Sequence, residues 1–506
     1  MDNRPQWGTR AGFILAAVGS AIGLGNIWRF PATAYENGGG AFFIPYLFAL
    51  LTAGIPLLIL EFTMGHKYKG SAPLSYARMN KKTEWLGWWQ VAISFVISTY
   101  YAVIIAWALS YTVFSFNLKW GEDTQTFLLA DYLQVGAAGE FGGIVPSVFL
   151  PLLVVWAVTL GVLFKGVKKG IEVANRIFIP TLCVLFLIIV IRALTLEGAA
   201  DGLNAFFTPN WDRIADGSVW VAAYGQIFFS LSIAFAIMIT YSSYLPKKSD
   251  ITNNAFITGF GNSAFELLAG IGVFSALGFM AMQQGLPVDE VVKGGVILAF
   301  VVFPQIINEF PAFNQFFGFL FFGSLVLAGL TSLISIVETF VAGVQDKFKV
   351  SRTKAVAFGG GLSALISIMF ATRGGLNFLD VADYFINQFG VALSGLIEVV
   401  VIVWVARELK NLQSHANSVS DIALGSWWKI CLGFITPLVL GYMMIDNIIK
   451  NLTPETYYGD GGYSLSFLVS SGWVVAVGAL VVGFLFTLKK WEPGALKVPS
   501  EKEVSK

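Results

Sequence analysis

The sequence predicts an all-α membrane protein with twelve transmembrane helices, and three observations carry that reading. Only 12% of the 506 residues are charged, about half the share of a soluble domain. Hydrophobic residues make up 56%, with 45 Phe, and the mean hydropathy is +0.71, which leaves too few polar residues to cover a water-facing surface. Apolar runs long enough for a bilayer core, about 20 residues each, recur along the chain.

Those runs fall at roughly 11–35, 41–64, 86–115, 143–164, 171–196, 218–243, 254–281, 315–345, 352–371, 376–405, 426–447 and 464–488. The first starts right after Arg10 and has no small-residue cleavage site before the second, so it reads as a span and not as a removable signal peptide. The connections alternate in charge. Lys67, Lys69, Arg78, Lys81 and Lys82 face Glu84 in the second, whereas Lys119 faces Glu122, Asp123, Asp131 and Glu140 in the third. Residues 165–176 and 346–354 each carry four basic side chains against one acidic, and 197–217 the reverse. The positive-inside rule then puts both termini in the cytoplasm, with 1–10 and 489–506 as cytoplasmic ends of a chain in the cytoplasmic (inner) membrane. Residues 286–314 are too short for a further span with its loops. They read as a pair of short helices capping the outer face, or in part as a segment that re-enters the bilayer.

The same composition sets several chemistries aside. A net charge of +1 with no basic block gives no electrostatic footprint for nucleic acid. Cys183 and Cys431 lie in apolar runs and act as small hydrophobes, so no disulfide framework is expected. No G-x-x-x-x-G-K-[ST] loop occurs, which excludes an ATP-driven motor of that type. His66 and His415, the two histidines, fall in polar connections far apart in sequence, and a histidine-based metal or catalytic site inside the membrane is set aside on that ground. No nucleophile–base pair marks an enzyme.

Two spans carry weak helix segments at mid-depth. Gly19-Ser20-Ala21-Ile22-Gly23-Leu24-Gly25-Asn26 in the first holds three glycines. Gly19 and Gly23 fit close helix packing, while Asn26 and Arg29 at that depth fit a pathway or paired site. Gln226 through Phe235 in the sixth clusters a glutamine with Ser230 and Ser232, which fits either a second break or hydroxyls bonded back to their own helix. Spans 1 and 6 occupy corresponding places if 11–196 and 218–405 are two five-helix halves, and an odd number of spans inverts the second. Spans 11 and 12 (426–488) then lie outside the core. In such inverted repeats, broken helices meet at the midplane and offer free N–H groups to an anion and free carbonyls to cations.

Trp7 through Pro31 (WGTRAGFILAAVGSAIGLGNIWRFP), Glu36 through Phe42, GQIFFSLSIAF at 225–235 and AGLTSLISI at 328–336 strongly resemble neurotransmitter:sodium symporters, from about residue 4 to 447. The bacterial leucine carrier of that family gives the LeuT-type fold its name. The resemblance implies a sodium-coupled symporter that imports a small or medium neutral α-amino acid by alternating access. It also leaves open a carrier of a GABA-like or compatible-solute zwitterion, and an amino-acid-gated channel or sensor on the same scaffold.

Carried over residue by residue, the resemblance implies two sodium ions. The first would be held by Ala21, Asn26, Ser230, Asn262 and the substrate carboxylate; the second by Gly19, Ile22, Ala328, Thr331 and Ser332. Oxygen ligands suit a hard cation, and Thr331 and Ser332 also fit a hydroxyl pair bonded within its own helix. Ser230 stands where the leucine carrier has Thr. The substrate carboxylate would meet Leu24, Gly25 and Tyr101, and the amino group would meet Ala21, Phe229, Ser230 and Ser232. Ile97, Tyr101, Phe229, Phe235, Ser332 and Ile336 would wall the side chain, with Ala234 in place of a glycine. Monoamine carriers have aspartate at the position of Gly23; glycine leaves the negative charge to the ligand.

Chloride-dependent animal relatives have Ser where this chain has Glu266, so the resemblance implies that Glu266, beside Tyr46, Gln226 and Asn262, replaces chloride. A structural buried glutamate is the other reading, and on the empty return step the same carboxyl is proposed to take up a proton. Arg29 and Asp383 would form the outer gate above Tyr101 and Phe229; Arg4 and Asp346, with Trp7 and Tyr244, would form the inner latch. Gly170, separated from Pro180 by nine residues, would let the inner end of span 5 unwind. Glu338 replaces a glutamine of the leucine carrier, and Glu61 and Glu398 are further intramembrane acids, given no role beyond hydrogen bonds to nearby backbone. A homo-oligomer or a small accessory subunit on spans 11 and 12 is a further expectation.

Overall fold

The computed structural model describes residues 4–459 and 462–498. The described residues form helices, with two isolated bridges as the β-type pairing. Ten helices are long and apolar enough to cross a bilayer. They are helix 2 (Gly40–Tyr68), 3 (Lys81–Phe114), 4 (Pro146–Phe164), 5 (Val167–Leu194), 7 (Ile251–Gln284), 8 (Asn314–Phe348), 9 (Arg352–Ala371), 10 (Gly375–Val405), 11 (Ser426–Leu452) and 12 (Leu465–Thr487). Helix 1 is a bent pair, Arg10–Ala21 and Leu24–Glu36, meeting at 56°. Helix 6 consists of Gly217–Ser230 and Ile237–Ser243, each too short to cross alone. Counted as one broken span, it completes the expected twelve.

Burial separates the spans into two sets. In helices 3 and 8 the apolar stretch is 83% buried, against 33% in helices 4 and 5 and 28% in helix 12. All five are apolar around most of their circumference, so the exposed ones present that surface to lipid and the buried ones to protein. Helices 3 and 8 pack extensively on each other at the centre, and helix 1 lies against helices 5, 7 and 8. Cys183 is exposed on helix 5 and Cys431 is buried, each as a free thiol.

The 286–314 connection contains the expected short helices, Val288–Val291 and the apolar stretch Gly295–Glu309. Phe300 anchors the second one, with ring centroids 6.3 Å from Trp28, 6.0 Å from Trp107 and 5.0 Å from Tyr111. Both described chain ends lie on one face, called the terminal face below: Arg4 meets Asp346 there, and Arg78 Nε donates to the Ala495 carbonyl at 3.0 Å.

One sequence reading is overturned. Helix 2 continues to Tyr68, so His66 belongs to a helix and not to a polar connection. His415, on the terminal-face helix Leu409–Val419, lies 2.9 Å from it, Nδ1 to Nε2. Separation in sequence did not measure separation in space, because a twelve-span bundle folds distant turns onto one face.

Candidate binding site between the broken helices

Helix 1 breaks where its donors find other partners. In an unbroken helix the amides of Gly23 and Leu24 would serve the carbonyls of Gly19 and Ser20. Here Gly23 N donates to Asn26 Oδ1 at 2.9 Å, and Leu24 N points to the Tyr101 hydroxyl at 3.4 Å. Ile22 and Gly23 are extended, at φ/ψ −72°/95° and −115°/−171°. The break therefore leaves carbonyls at the end of one half-helix and amides at the start of the next. A methyl on Gly23 would sit 3.2 Å from Tyr101 Oη and 3.3 Å from Ser332 Oγ, so a larger side chain would fill this gap.

Helix 6 breaks without glycine. Ser232, Ala234 and Ala236 take left-handed φ of 54°, 64° and 61°, a conformation that costs an ordinary residue about 1–3 kcal/mol and persists only when its surroundings hold it. Three contacts hold it. Ala234 N donates to Glu61 Oε1 at 2.7 Å, Ser94 Oγ donates to the Phe235 carbonyl at 2.6 Å, and Ser232 Oγ donates to the Ser20 carbonyl at 2.9 Å. Glu61, which the sequence left with a generic backbone bond, thus fastens the break in helix 6 to helix 2. Glu398 bonds a side chain instead: it accepts from Gln90 Nε2 at 2.8 Å. Ser94 was missed, because a serine in a span gives no sign of whether it serves its own helix or a neighbour; Ser20, named only as part of the weak segment, acts through its carbonyl.

The residues expected around the first sodium converge. Asn26 Nδ2 donates to Asn262 Oδ1 at 2.7 Å, and Asn262 Nδ2 donates to Ser230 Oγ at 3.1 Å. One turn along, Glu266 is fully buried; it accepts from Tyr46 Oη and from Gln226 Nε2, the latter at 2.6 Å, and Tyr46 Oη also contacts Ser263 Oγ at 2.8 Å. No described cation forms an ion pair with this carboxylate. On helix 8, Thr331 Oγ1 donates to the Ala328 carbonyl at 2.9 Å, and Ser332 Oγ contacts the carbonyls of Ala328 and Ser20 at 3.2 and 3.3 Å. The hydroxyls thus bond back within their helix while Ser332 also reaches the broken end of helix 1, where Gly19 and Ile22 lie. This is an all-oxygen neighbourhood fit for a hard cation.

A cavity of about 560 Å³ reaches Asn26, Gln226, Ser230 and Ser332 of these groups, and every expected substrate residue lines it: Ala21, Leu24 and Gly25; Ile97 and Tyr101; Phe229, Ser230, Ser232 and Phe235; Ser332 and Ile336. It extends to Asp380, Asp383 and Tyr458 on the face opposite the chain ends. There Arg29 lies 4.6 Å over the Phe229 ring and Asp383 accepts from Asn387 at 2.9 Å. Arg29 and Asp383 share the cavity without an ion pair between them.

The terminal face is shut. Arg4 Nη1 donates to both Asp346 oxygens at 2.9 Å, and Arg4 Nε donates to Ser243 Oγ at 3.0 Å. Trp7 donates through its amide to the Tyr244 carbonyl at 3.1 Å and through its indole to the Tyr241 carbonyl at 2.8 Å. Tyr244 Oη donates to Glu338 Oε1 at 2.7 Å, and Arg352 clamps the same carboxylate at 2.9 and 2.7 Å. Arg352 was absent from the sequence reading; the glutamate in place of glutamine at 338 was the one local sign of it.

A sequence profile of the sodium:neurotransmitter symporter family matches residues 4–141 and 127–492. The chain belongs to this family. Among similar proteins, an uncharacterized sodium-dependent transporter of Methanocaldococcus jannaschii is 41% identical over 493 residues, covering 96% of this chain and 99% of its own. The sodium- and chloride-dependent GABA transporter 2 of Bos taurus is 31% identical, with coverage of 96% and 87%. The sodium- and chloride-dependent neutral and basic amino acid transporter B(0+) of Mus musculus is 29% identical, with coverage of 95% and 84%. As a member of the sodium:neurotransmitter symporter family, the chain is a sodium-dependent membrane transporter and not an enzyme.

Proposed function

We propose that this symporter carries a small or medium neutral α-amino acid inward with two sodium ions, by alternating access and without chloride. The observation that carries the reading is the gap at Gly23, where amides of a broken helix and the Tyr101 hydroxyl face a cavity bounded by Phe229, Phe235 and Ile336. A carboxylate brought by the ligand supplies the charge that no side chain at 23 provides. Glu266 supports chloride independence: a buried carboxylate beside Asn262 offsets the positive excess of two cations and one carboxylate. The excess of Lys and Arg in alternate connections supports cytoplasmic termini in the inner membrane. The terminal face is then the inner side, the structure is outward-facing, and Arg4–Asp346 is the closed inner latch.

Competition for uptake by all twenty amino acids, in sodium and in potassium, tests the substrate class. Alanine, valine, leucine or methionine should dominate, and only in sodium. Tryptophan or tyrosine as the best competitor would overturn the pocket assignment. A GABA-like zwitterion is the second reading, because glycine at 23 admits its carboxylate equally and a GABA transporter is among the relatives. Accumulation of γ-aminobutyrate with no amino acid accumulated would select it.

A further inference from the structure

The His66–His415 contact lies outside the binding site and bears on the closed face. His66 Nε2 lies 2.9 Å from the Pro246 carbonyl, which has no proton to offer, so Nε2 carries the hydrogen and donates it. Neutral His66 then presents a bare Nδ1, and His415 Nε2 must donate to it across their 2.9 Å contact. Two doubly protonated rings could not share this contact, since each would present a hydrogen. The surroundings oppose a charge. His415 is pushed down to about 4, chiefly by burial and then by the charges of Lys67 and Lys69. Lys67 Nζ donates to the Asn411 carbonyl at 3.4 Å, Lys69 Nζ donates to the Leu245 carbonyl at 2.5 Å, Lys247 follows Pro246, and the Glu408 carboxylate accepts from Asn411 at 2.7 Å.

The bonded elements explain what such a pair does. Pro246 is two residues past Tyr244, whose carbonyl and hydroxyl both belong to the closure. Leu409–Val419 also touches helix 7, where Ser420 Oγ accepts from Ile251 N and Thr252 N at 3.1 Å. Its own chain runs from helix 10, which ends at Val405, to helix 11, which begins at Ser426. It therefore joins helices 2, 6 and 7 to helices 10 and 11.

We propose that His66 and His415 form a neutral imidazole clasp that ties the helix Leu409–Val419 to the closing end of helix 6. His415 is thereby a positioning residue that restrains the terminal-face gate from opening. The inference rests on the alternating-access reading above, in which this gate moves.

Hydrogen–deuterium exchange of the full-length protein in lipid nanodiscs, in sodium and in potassium, tests it on peptides covering 4–15 and 240–252. His415→Leu should raise exchange in 240–252 by about fivefold, the population equivalent of one net hydrogen bond. His415→Gln keeps an N–H that reaches His66 Nδ1 and should match the unaltered protein. His66→Leu, which also removes the bond to the Pro246 carbonyl, should raise exchange at least as much as His415→Leu, and adding His415→Leu to it should change nothing further; either single variant suffices if the other does not fold. Exchange in His415→Leu equal to that of the unaltered protein, or His415→Gln as loose as His415→Leu, overturns the clasp. If the unaltered protein shows no sodium-dependent exchange in 4–15, the moving-gate reading fails instead.

Discussion

On the terminal face Arg4 grips both oxygens of Asp346 and Arg352 grips both of Glu338, whereas on the opposite face Arg29 lies on the Phe229 ring and Asp383 accepts from Asn387. The same residue types are present on both sides. They are joined on the shut side and separated by the cavity on the open one. On the alternating-access reading proposed above, an ion pair present in one state only adds its energy to that state and not to the other, and so would bias the populations.

The largest expected effect breaks the shut side. Asp346→Asn leaves Arg4 without its anion at side-chain exposures of 10% and 16%, and losing one partner of a nearly buried pair costs about 3 kcal/mol, or more than a hundredfold in population. Alkylation of a cysteine introduced on the terminal side of helix 1 should speed up accordingly; an unchanged rate would remove the latch. Next comes the charge between the two faces. Glu266→Gln should lower uptake in chloride-free buffer by about tenfold, and added chloride should restore it. Chloride dependence already present before the substitution would contradict the assignment.

On the open side the effect is smaller. Asp383→Asn should leave thermal stability unchanged, because the acid has no ionic partner in this state, and should lower maximal uptake about threefold, in the range of a solvent-accessible pair. A drop in melting temperature would show the acid to be structural. The last test concerns acid. His415 is depressed from 6.5 to about 4, so the folded state binds fewer protons than the unfolded one. Its contribution is complete above pH 6.5 and is lost as pH falls toward 4. Protection of 240–252, taken against the intrinsic amide exchange rate at each pH, should fall over that window in the unaltered protein and fall less in His415→Gln.

The span pattern was legible because the bilayer requires it: a helix apolar for about 20 residues announces itself whatever it packs against. Helix 8, expected at 315–345, occupies Asn314–Phe348, and helix 10, expected at 376–405, occupies Gly375–Val405. The break in helix 1 was legible through its glycines and Asn26. The break in helix 6 was less so, because its left-handed residues are Ser232, Ala234 and Ala236, none of which signals that conformation alone. Glu61 holds that segment from helix 2, an arrangement with no trace in local sequence. The Glu266 cluster was found by spacing along helix 7 together with the resemblance, whereas Arg352 escaped because its partner Glu338 lies back on the preceding helix, and the histidine pair because it joins distant parts of the chain.

By itself, the order of residues determined which segments cross the lipid, where two of them are weak, and that position 23 carries no charge. These are properties of composition and of neighbours along one helix. Which broken ends face each other, which acid holds Ala234, which of two charged clusters is joined, and that two distant imidazoles share one hydrogen were decided by tertiary structure. Each of those depends on groups that only packing brings to within 3 Å or so, and hydrogen bonds and ion pairs act only at such distances.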